Sequence, residues 1–293
     1  MAATKPTILL IPGAWFHPST YDAFLSRLQH LSFPTAYASY PSLNPSHPAS
    51  ADAAADTETV LKRSLLPLIE TEGKDVVIVM HSYGGVPGSG AARGLSKVQR
   101  SGEGKKGGVV GLVHISGFVL PGGASVADGQ GGELPGWVKQ NEVPSTLARY
   151  HHHPSPPSRR LSARNPHSRS PSQPSPGLTM PANPLAILSA DIDPPVAAAN
   201  ASRLVPHALL AFKSPAPAPA WTGPGFERRL AYLVCTEDEA IPKFGQEAMM
   251  QGTGVEWAVR EMAGSHNAPF LKKADETAGA VDAFVEGFLK LGT

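Results

Sequence analysis

The chain has 293 residues, a formal net charge of +1 and one cysteine, Cys235. This length fits one large α/β domain or a core domain with an insertion, and the near-neutral charge argues against nucleic acid as a partner. A single cysteine excludes an internal disulfide, and no apolar stretch approaches the roughly 20 residues that a membrane span needs. The first residues also lack the apolar region and the cleavage site of a signal peptide. We therefore expect a soluble, cytoplasmic protein without a membrane partner.

Short apolar runs that end in turn residues predict the buried strands of a parallel sheet. Segments with helical spacing separate these runs up to residue 120, and the same alternation resumes near Arg229. This alternation predicts an α/β fold with a mostly parallel sheet and helices on both of its faces. The predicted strands are residues 7–11, 35–40, 76–80, 109–120, 230–235 and 255–262. The predicted helices include one capped by Ser19 or Thr20, residues 50–72 capped by Ser50 and kinked at Pro67, 242–251 and 269–291.

The third strand runs without a linker into Met80-His81-Ser82-Tyr83-Gly84-Gly85. A strand that turns sharply into a helix, with a serine at the turn, is typical of a nucleophile elbow, which projects the hydroxyl above the sheet. The usual pattern is G-x-S-x-G. Here Gly84 keeps the second glycine, whereas Met80 replaces the first. Ser82 is therefore a candidate nucleophile, with a plain strand-to-helix turn as the alternative.

The alternation of strands and helices is lost between Pro121 and Phe226. We expect residues 121–226 to form a cap that is inserted into a core of residues 1–120 and 227–293.

One segment of this cap, near residues 145–184, is dominated by Ser, Pro, Arg and His. Such a composition cannot bury enough apolar surface to offset the loss of chain entropy, so we expect disorder there. His151-His152-His153 lie within this segment. Three adjacent histidines in a polar loop are a weak indication of a metal ion, and we predict no metal site.

A serine hydroxyl becomes an effective nucleophile when an imidazole takes its proton and a carboxylate orients that imidazole. The loop Gly264-Ser265-His266-Asn267 follows the last strand and leads into the closing helix, which makes His266 the favoured base. An acid could come from Glu237-Asp238-Glu239, at the carboxyl end of a strand, where open α/β sheets bind ligands. Spacing alone does not choose among these three acids. The other histidines are expected elsewhere: His81 in the elbow, His114 in the core, and His30, His47 and His207 at the surface.

Acyl transfer develops an oxyanion, and preorganised backbone N–H groups must point at it. With a nucleophile elbow, one N–H belongs to the residue after the serine, here Tyr83, and the other to the loop after the first strand. That loop is Gly13-Ala14-Trp15. Ala14 is the candidate donor, and Trp15 is a candidate wall of the acyl pocket.

Four separated pieces of the chain agree with one another: Ile-Pro-Gly-Ala-Trp at 11–15, Met-His-Ser-Tyr-Gly-Gly at 80–85, Leu-Val-Cys-Thr-Glu-Asp-Glu-Ala-Ile-Pro at 233–242, and Gly-Ser-His-Asn-Ala-Pro-Phe-Leu at 264–271. Together they resemble the α/β-hydrolase superfamily, in its compact esterase-like branch of plant methyl esterases, hydroxynitrile lyases and fungal hydrolases. The resemblance covers residues 5–135 and 185–291. It implies the α/β-hydrolase fold and places the catalytic acid on Asp238, with Glu237 and Glu239 as surface neighbours.

The resemblance implies a serine hydrolase that cleaves a small carboxylic ester or lactone through an acyl-enzyme, without a cofactor. The implied catalytic residues are Ser82 as nucleophile, His266 as base and then acid, and Asp238 as the residue that orients His266. The implied oxyanion hole is formed by Ala14 and Tyr83, and the implied substrate pocket by Gly13, Trp15, Phe16 and Phe118.

Several departures from the family bear on function. Pro12 replaces a usual His, but the oxyanion donor is a backbone group, so we expect little loss. Gly13 and Asn267 stand where hydroxynitrile lyases have Thr and Lys, which disfavours lyase chemistry. Residues 136–184 do not resemble the family's helical cap and are either a genuine insertion or a translated intron. Two alternatives remain: a carbon–carbon hydrolase or lyase, and a non-catalytic receptor or scaffold on the same fold.

Overall fold

A computed structural model describes residues 5–141 and 177–292 of the chain. The strands of these residues are β1 (Thr7–Ile11), β2 (Thr35–Tyr37), β3 (Asp75–His81), β4 (Gly108–Ile115), β5 (Val138–Gln140), β6 (Leu178–Pro181), β7 (His207–Ala208), β8 (Leu230–Cys235) and β9 (Ala258–Met262). Six of them form the main sheet in the order β2-β1-β3-β4-β8-β9, and each neighbouring pair in this sheet is parallel. The other three form a small antiparallel sheet in the order β5-β6-β7.

The helices of the described residues are α1 (Asp22–His30), α2 (Ala53–Val60), α3 (Gly85–Ala91), α4 (Lys97–Gly102), α5 (Val126–Gly129), α6 (Pro184–Leu188), α7 (Pro194–Ala201), α8 (Leu209–Lys213), α9 (Lys243–Gly252), α10 (Ala268–Leu271) and α11 (Ala274–Lys290). Among them, no helix is both long and apolar enough to cross a membrane.

The central strands are buried on both faces of the sheet. Because successive side chains of a strand point to opposite faces, one strand contributes to two apolar clusters. In β3, Val76 and Ile78 belong to one apolar cluster, and Val77 and Val79 belong to another. The first cluster includes residues of α2, α3 and α8. The second includes residues of α1, α10 and α11. The predicted α/β fold, with a mostly parallel sheet and helices on both faces, is therefore confirmed.

The strands β1 and β8 have the predicted bounds, whereas others end earlier than the apolar pattern indicates. The strand predicted over residues 109–120 ends at Ile115. The next residue, Ser116, has a φ of 42°, which takes the backbone out of the extended region. The apolar residues up to Leu120 are still buried, so hydrophobicity alone did not mark where the strand stops.

Neither predicted helix cap is the observed one. The His17 side chain, rather than Ser19 or Thr20, accepts the N–H of Ser19 at the start of the 3-10 turn Pro18–Tyr21 that precedes α1. The side chain of Asp52, rather than Ser50, accepts an N–H at the start of α2. In both places, the side chain that precedes the first turn has an acceptor atom within hydrogen-bond distance of an N–H group in that turn.

The long helix predicted over residues 50–72 is helical without interruption from residue 53 to residue 71, but its hydrogen-bond pattern changes along the way. The helix α2 ends at Val60, and the segments Leu61–Leu65 and Pro67–Thr71 form wider π-helical turns. Proline has no N–H, and its ring collides with the carbonyl four residues earlier in an ordinary helix. The wider turns therefore accommodate Pro67 without a break in the chain direction.

The small antiparallel sheet lies in the part of the chain between β4 and β8, where the sequence predicts an inserted cap. Hydrogen bonds tie it to the loop after β2, because the Ala208 N–H donates to the Ser42 carbonyl at 2.9 Å. The segment near 145–184 that was expected to be disordered lies outside the described residues up to residue 176, and so do the three adjacent histidines. Its last part is described and contains β6.

Candidate active site

Ser82 occupies a sharply turned position between β3 and α3. Its φ of 51° lies in the left-handed region, which is uncommon for a residue with a side chain and marks a strained turn. A 3-10 turn, Ser82–Gly84, connects the strand directly to the helix. The Phe118 N–H donates to the Ser82 carbonyl at 2.9 Å and holds the turn from the neighbouring strand end. These are the features of the predicted nucleophile elbow.

The glycine at position 84 allows this turn to pack against the loop after β1. A methyl group on Gly84 would lie 2.5 Å from the Pro12 carbonyl oxygen and 2.6 Å from that of Ile11. No carbon atom approaches oxygen so closely in a relaxed structure, so only glycine fits between the elbow and the first loop.

Met80, which replaces the first glycine of the usual elbow pattern, packs against a glycine of α3. Its side chain is fully buried. A methyl group on Gly88 of α3 would lie 2.7 Å from Cγ and from Sδ of Met80. The absence of a side chain at position 88 thus makes room for the bulky residue at position 80.

We expect the two glycines to differ in their tolerance of alanine. Gly84→Ala should lower the free energy of unfolding by about 3 kcal/mol or more, because the new methyl group meets rigid backbone. Gly88→Ala should cost roughly 1 kcal/mol, because the flexible Met80 side chain can move away. Urea unfolding monitored by circular dichroism measures both values. Equal losses in the two variants would contradict this packing of the elbow.

Asp238 and His266 form a buried hydrogen-bonded pair. The side chain of Asp238 is fully buried, and its Oδ2 lies 2.6 Å from Nδ1 of His266. Its Oδ1 accepts the backbone N–H groups of Ala240 at 2.8 Å and Ile241 at 2.9 Å. An ionised carboxylate only accepts, so it holds the proton of His266 on Nδ1 and leaves Nε2 free to take a proton. Glu237 and Glu239 are exposed, and within the described residues neither forms a hydrogen bond or an ion pair with His266.

Gln246 of α9, which sequence reasoning missed, clamps the loop that carries Asp238. Its fully buried amide donates to the carbonyl oxygens of Cys235 at 2.9 Å and Ile241 at 2.7 Å, and it accepts the Cys235 N–H at 3.2 Å. These three bonds fix both ends of the loop. A glutamine within an amphipathic helix carries no signal of this role, because its partners are backbone groups.

The loop that carries His266 is held from the side of α6 and α7. The Ser265 N–H donates to Oδ1 of Asp191 at 3.0 Å, and the Asn267 N–H donates to the Leu188 carbonyl at 2.8 Å. Asn267 is itself fully buried and donates its side-chain amide to Ser189 at 3.0 Å. The position of His266 is thus fixed on both sides of the imidazole.

Ser82 and His266 line the same cavity. It is also lined by Ala14, Trp15 and Phe118, so five of the nine predicted site residues meet there. No hydrogen bond joins the Ser82 hydroxyl to His266 within the described residues. Contacts of this kind often tighten only when substrate binds.

The other walls of the cavity are almost entirely apolar. The cavity has a volume of about 30 Å³, which is room for one or two water molecules. Apart from the residues already named, the lining residues are Val126, Gln130, Leu134, Pro135, Trp137, Val138, Phe212, Ala240 and Ile241. Without movement of these walls, only a small group fits. Among the described residues, no Asp, Glu, Lys or Arg lines the cavity.

Two predicted pocket residues lie behind the cavity. Phe16 is fully buried, and its ring lies 5.1 Å from that of His81 and 6.1 Å from that of His266, centroid to centroid. It therefore supports the imidazole from behind rather than contacting the cavity. Gly13 packs against the nucleophile, since a methyl group there would lie 2.9 Å from Cβ of Ser82.

The predicted oxyanion donors flank the nucleophile. Within the described residues, neither the Ala14 N–H nor the Tyr83 N–H has a hydrogen-bond acceptor. Tyr83 lies in the first turn of the 3-10 turn that enters α3, where N–H groups are unpaired by geometry. The neighbouring Gly13 N–H instead donates to the Tyr21 hydroxyl oxygen at 2.9 Å. Both N–H groups are thus available to a substrate, and their role in an oxyanion hole stays a prediction.

His81 and His207 are both fully buried and do not line the cavity. Burial lowers the pKa of His81 well below its usual range, and the Tyr21 hydroxyl lies 2.9 Å from its Nδ1. The prediction of a surface position for His207 is wrong, because β7 places it inside the protein, where burial lowers its pKa to about 3. Neither imidazole therefore competes with His266 as a base at the cavity.

The comparison with known proteins identifies the family. The model of the alpha/beta hydrolase family matches residues 8–280. The chain belongs to this family. This alpha/beta hydrolase is 35% identical over 130 residues to "Probable hydrolase R7" of Phoma sp., a match that covers 44% of this chain and 50% of that relative. It is 29% identical over 282 residues to alpha/beta hydrolase nvfD of Aspergillus novofumigatus, which covers 92% of this chain and 93% of the relative.

The fold is also shared with solved alpha/beta hydrolases. The crystal structure of polyneuridine aldehyde esterase matches with a TM-score of 0.64 at 14% identity, over 95% of this chain and 99% of the other. At this level of identity the likeness shows the fold. Family membership and the names of the two fungal relatives support hydrolase activity on a small molecule.

Proposed function

We propose that this alpha/beta hydrolase is a serine esterase that cleaves a neutral carboxylic ester or lactone through an acyl-enzyme. One observation carries the proposal: strained Ser82 faces the same apolar cavity as His266, whose Nδ1 lies 2.6 Å from Asp238. A nucleophile, a base and an orienting acid are the three groups that acyl transfer requires.

The proposed reaction has two steps. The Ser82 oxygen attacks the acyl carbon while Nε2 of His266 takes the hydroxyl proton, and the N–H groups of Ala14 and Tyr83 bind the oxyanion. The tetrahedral species collapses, the alcohol leaves with the proton from His266, and the acyl group remains on Ser82. Water then attacks the acyl carbon, with His266 again as the base, and releases the acid.

The walls of the cavity support a small and uncharged substrate. Leu134, Trp137 and Phe212 line the cavity together with Ser82, and all three come from residues 121–226. We propose on this basis that residues 121–226 act as a cap over a core of residues 1–120 and 227–293. A carboxylate or ammonium group in this space would lose its hydration without a partner of opposite charge.

A fluorophosphonate probe tests the proposal on the full chain. The Ser82 oxygen attacks phosphorus, fluoride leaves, and the hydroxyl proton passes to His266, so an active serine hydrolase becomes covalently labelled. We expect rapid labelling of the wild type, and faster hydrolysis of p-nitrophenyl acetate than of the p-nitrophenyl ester of succinate, whose acyl group is charged. A wild type that folds but is not labelled would instead be the receptor or scaffold, and would overturn the proposed esterase.

A further inference from the structure

A buried carboxylate lies directly behind the elbow, without a counterion among the described residues. Asp56 of α2 is fully buried, and the Tyr83 hydroxyl donates to its Oδ2 at 2.6 Å. The Ser42 N–H donates to its Oδ1 at 2.9 Å, and the Ser42 hydroxyl donates to Oδ2 at 2.5 Å. No Lys or Arg contacts Asp56 within the described residues. The group is thus held by three hydrogen-bond donors alone.

The hydrogen bonds continue from Ser42 into the small sheet. Nε2 of His207 lies 2.9 Å from the Ser42 hydroxyl, which donates its own proton to Asp56. The His207 carbonyl accepts the Thr179 hydroxyl at 3.1 Å. The indole N–H of Trp15 donates to the Thr179 carbonyl, also at 3.1 Å. A chain of buried, hydrogen-bonded residues therefore runs from Tyr83 to Trp15, and at His207 it passes from the side chain to the backbone.

Both ends of this hydrogen-bonded series of residues lie at the proposed oxyanion donors. Tyr83 carries one proposed oxyanion N–H, and Trp15 directly follows Ala14, which carries the other. Trp15 has a φ of 68°, so its backbone is held in a conformation that a tryptophan rarely adopts. The side-chain hydrogen bond is one restraint on that conformation, and the Val205 N–H, which donates to the Trp15 carbonyl at 2.8 Å, is another.

Stability alone does not account for Asp56. Burial raises the pKa of Asp56 to about 6. The titratable groups that interact with it are Tyr83, Tyr40 and Asp52, and His207 lies one hydrogen bond further away, beyond Ser42. A buried charge without a counterion is costly, and well-packed apolar residues are often at least as stabilising as buried ionic groups. A cost of this kind next to a proposed catalytic group points to a role in positioning.

We propose that Asp56 is a positioning residue that fixes the proposed oxyanion hole. It holds the Tyr83 side chain directly and is linked to Trp15 through Ser42, His207 and Thr179, so that one buried hydrogen-bond chain sets the separation of the two N–H donors. The inference rests on the proposed function, because an oxyanion forms only if Ser82 transfers acyl groups.

The test compares two variants that alter the hydrogen bond between Asp56 and Tyr83. Asp56→Asn keeps the size of the side chain, and Tyr83→Phe removes only the hydroxyl that Asp56 accepts. Thr57→Val is the matched control: Thr57 is the next residue of α2, is also buried, and bonds only to the Ala53 carbonyl of its own helix. The measurements are kcat and KM for p-nitrophenyl acetate, and inhibition by an aryl trifluoromethyl ketone, which forms a tetrahedral adduct with the serine.

We expect Asp56→Asn to lower kcat about tenfold, less than the loss of a whole oxyanion donor, with KM within about twofold. Affinity for the trifluoromethyl ketone should fall by a similar factor, and Thr57→Val should match the wild type. Tyr83→Phe should lower kcat no more than Asp56→Asn does, because Asp56 also accepts two bonds from Ser42. The double variant should lose no more than Asp56→Asn alone, since the NH₂ group of an asparagine cannot accept the Tyr83 hydroxyl.

Two results would overturn the inference while the proposed function stands. One is folded Asp56→Asn and Tyr83→Phe enzymes with wild-type kcat and wild-type ketone affinity. The other is a double variant whose losses multiply, which would show that the two residues act separately. A wild type that no fluorophosphonate labels, by contrast, removes the proposed function and this inference together. Circular dichroism and thermal unfolding identify any variant that does not fold, and Tyr83→Phe then carries the test.

Discussion

Replacement of Ser82 by alanine should lower kcat for p-nitrophenyl acetate by roughly 10⁴- to 10⁶-fold, the range found when a catalytic serine of a triad is removed. The loss is this large because the remaining residues can position the ester but cannot form a covalent bond to it. The fold should survive, since the Ser82 hydroxyl makes no hydrogen bond within the described residues. Stopped-flow and steady-state assays on the purified variant measure the effect.

A second buried serine provides the control for this variant. Ser89 lies in α3 and is 3% exposed, and its hydroxyl has no hydrogen-bond partner among residues 5–141 and 177–292. Ser89→Ala should therefore retain wild-type kcat. If Ser82→Ala kept most of the activity, or if Ser89→Ala lost it, the assignment of the nucleophile would be wrong.

Asp238→Asn should lower kcat by about 10⁴-fold, through the tautomer of His266. The N–H groups of Ala240 and Ile241 both need an acceptor, so the carbonyl oxygen of an asparagine must face them. Its NH₂ group then points at Nδ1 of His266, which must become an acceptor and carry its proton on Nε2. An imidazole in that state cannot take a proton from Ser82.

The neighbouring acids separate this effect from a general loss of negative charge. Glu237 and Glu239 are exposed residues of the same loop. Glu237→Gln and Glu239→Gln should leave kcat within about twofold of the wild type, since exposed charges contribute little in water. A loss in Glu239→Gln comparable to that in Asp238→Asn would contradict the role given to Asp238.

The parts of the site that the sequence predicted are those with local signals. A run of β-branched residues followed by Ser82 and glycines marks a strand, a turn and a helix within a few positions. His266 lies on a glycine-containing loop between a strand and a helix, which the alternation of elements reveals. These signals need no knowledge of which distant residues meet, because the topology of a parallel sheet brings the carboxyl ends of its strands together.

The residues that were missed depend on contacts between distant parts of the chain. Ser42 and His207 are 165 positions apart, and nothing in the local pattern around either one indicates the other. His207 follows a polar and proline-containing stretch, which favours a surface position, yet β7 pairs with β6 and buries it. Tertiary pairing decided the burial in this case.

The direction of a side chain was also beyond the sequence. Phe16 is one of the residues that the resemblance places in the substrate pocket. The left-handed backbone at Trp15 reverses the local direction of the chain, so Trp15 faces the cavity and Phe16 lies behind His266. A positive φ at a tryptophan is set by the contacts of the folded protein and has no signature in its neighbours.

The formation of an acyl-enzyme on Ser82 tests the central proposal most directly. The wild-type chain is mixed with p-nitrophenyl acetate, quenched in acid within the first turnover, digested, and analysed by mass spectrometry. We predict an acetyl group on the Ser82 hydroxyl in the peptide that contains the elbow, and none on that peptide in Ser82→Ala. Ester hydrolysis at the wild-type rate with no acetyl group on Ser82, or with the acetyl group on another residue, would contradict the proposal.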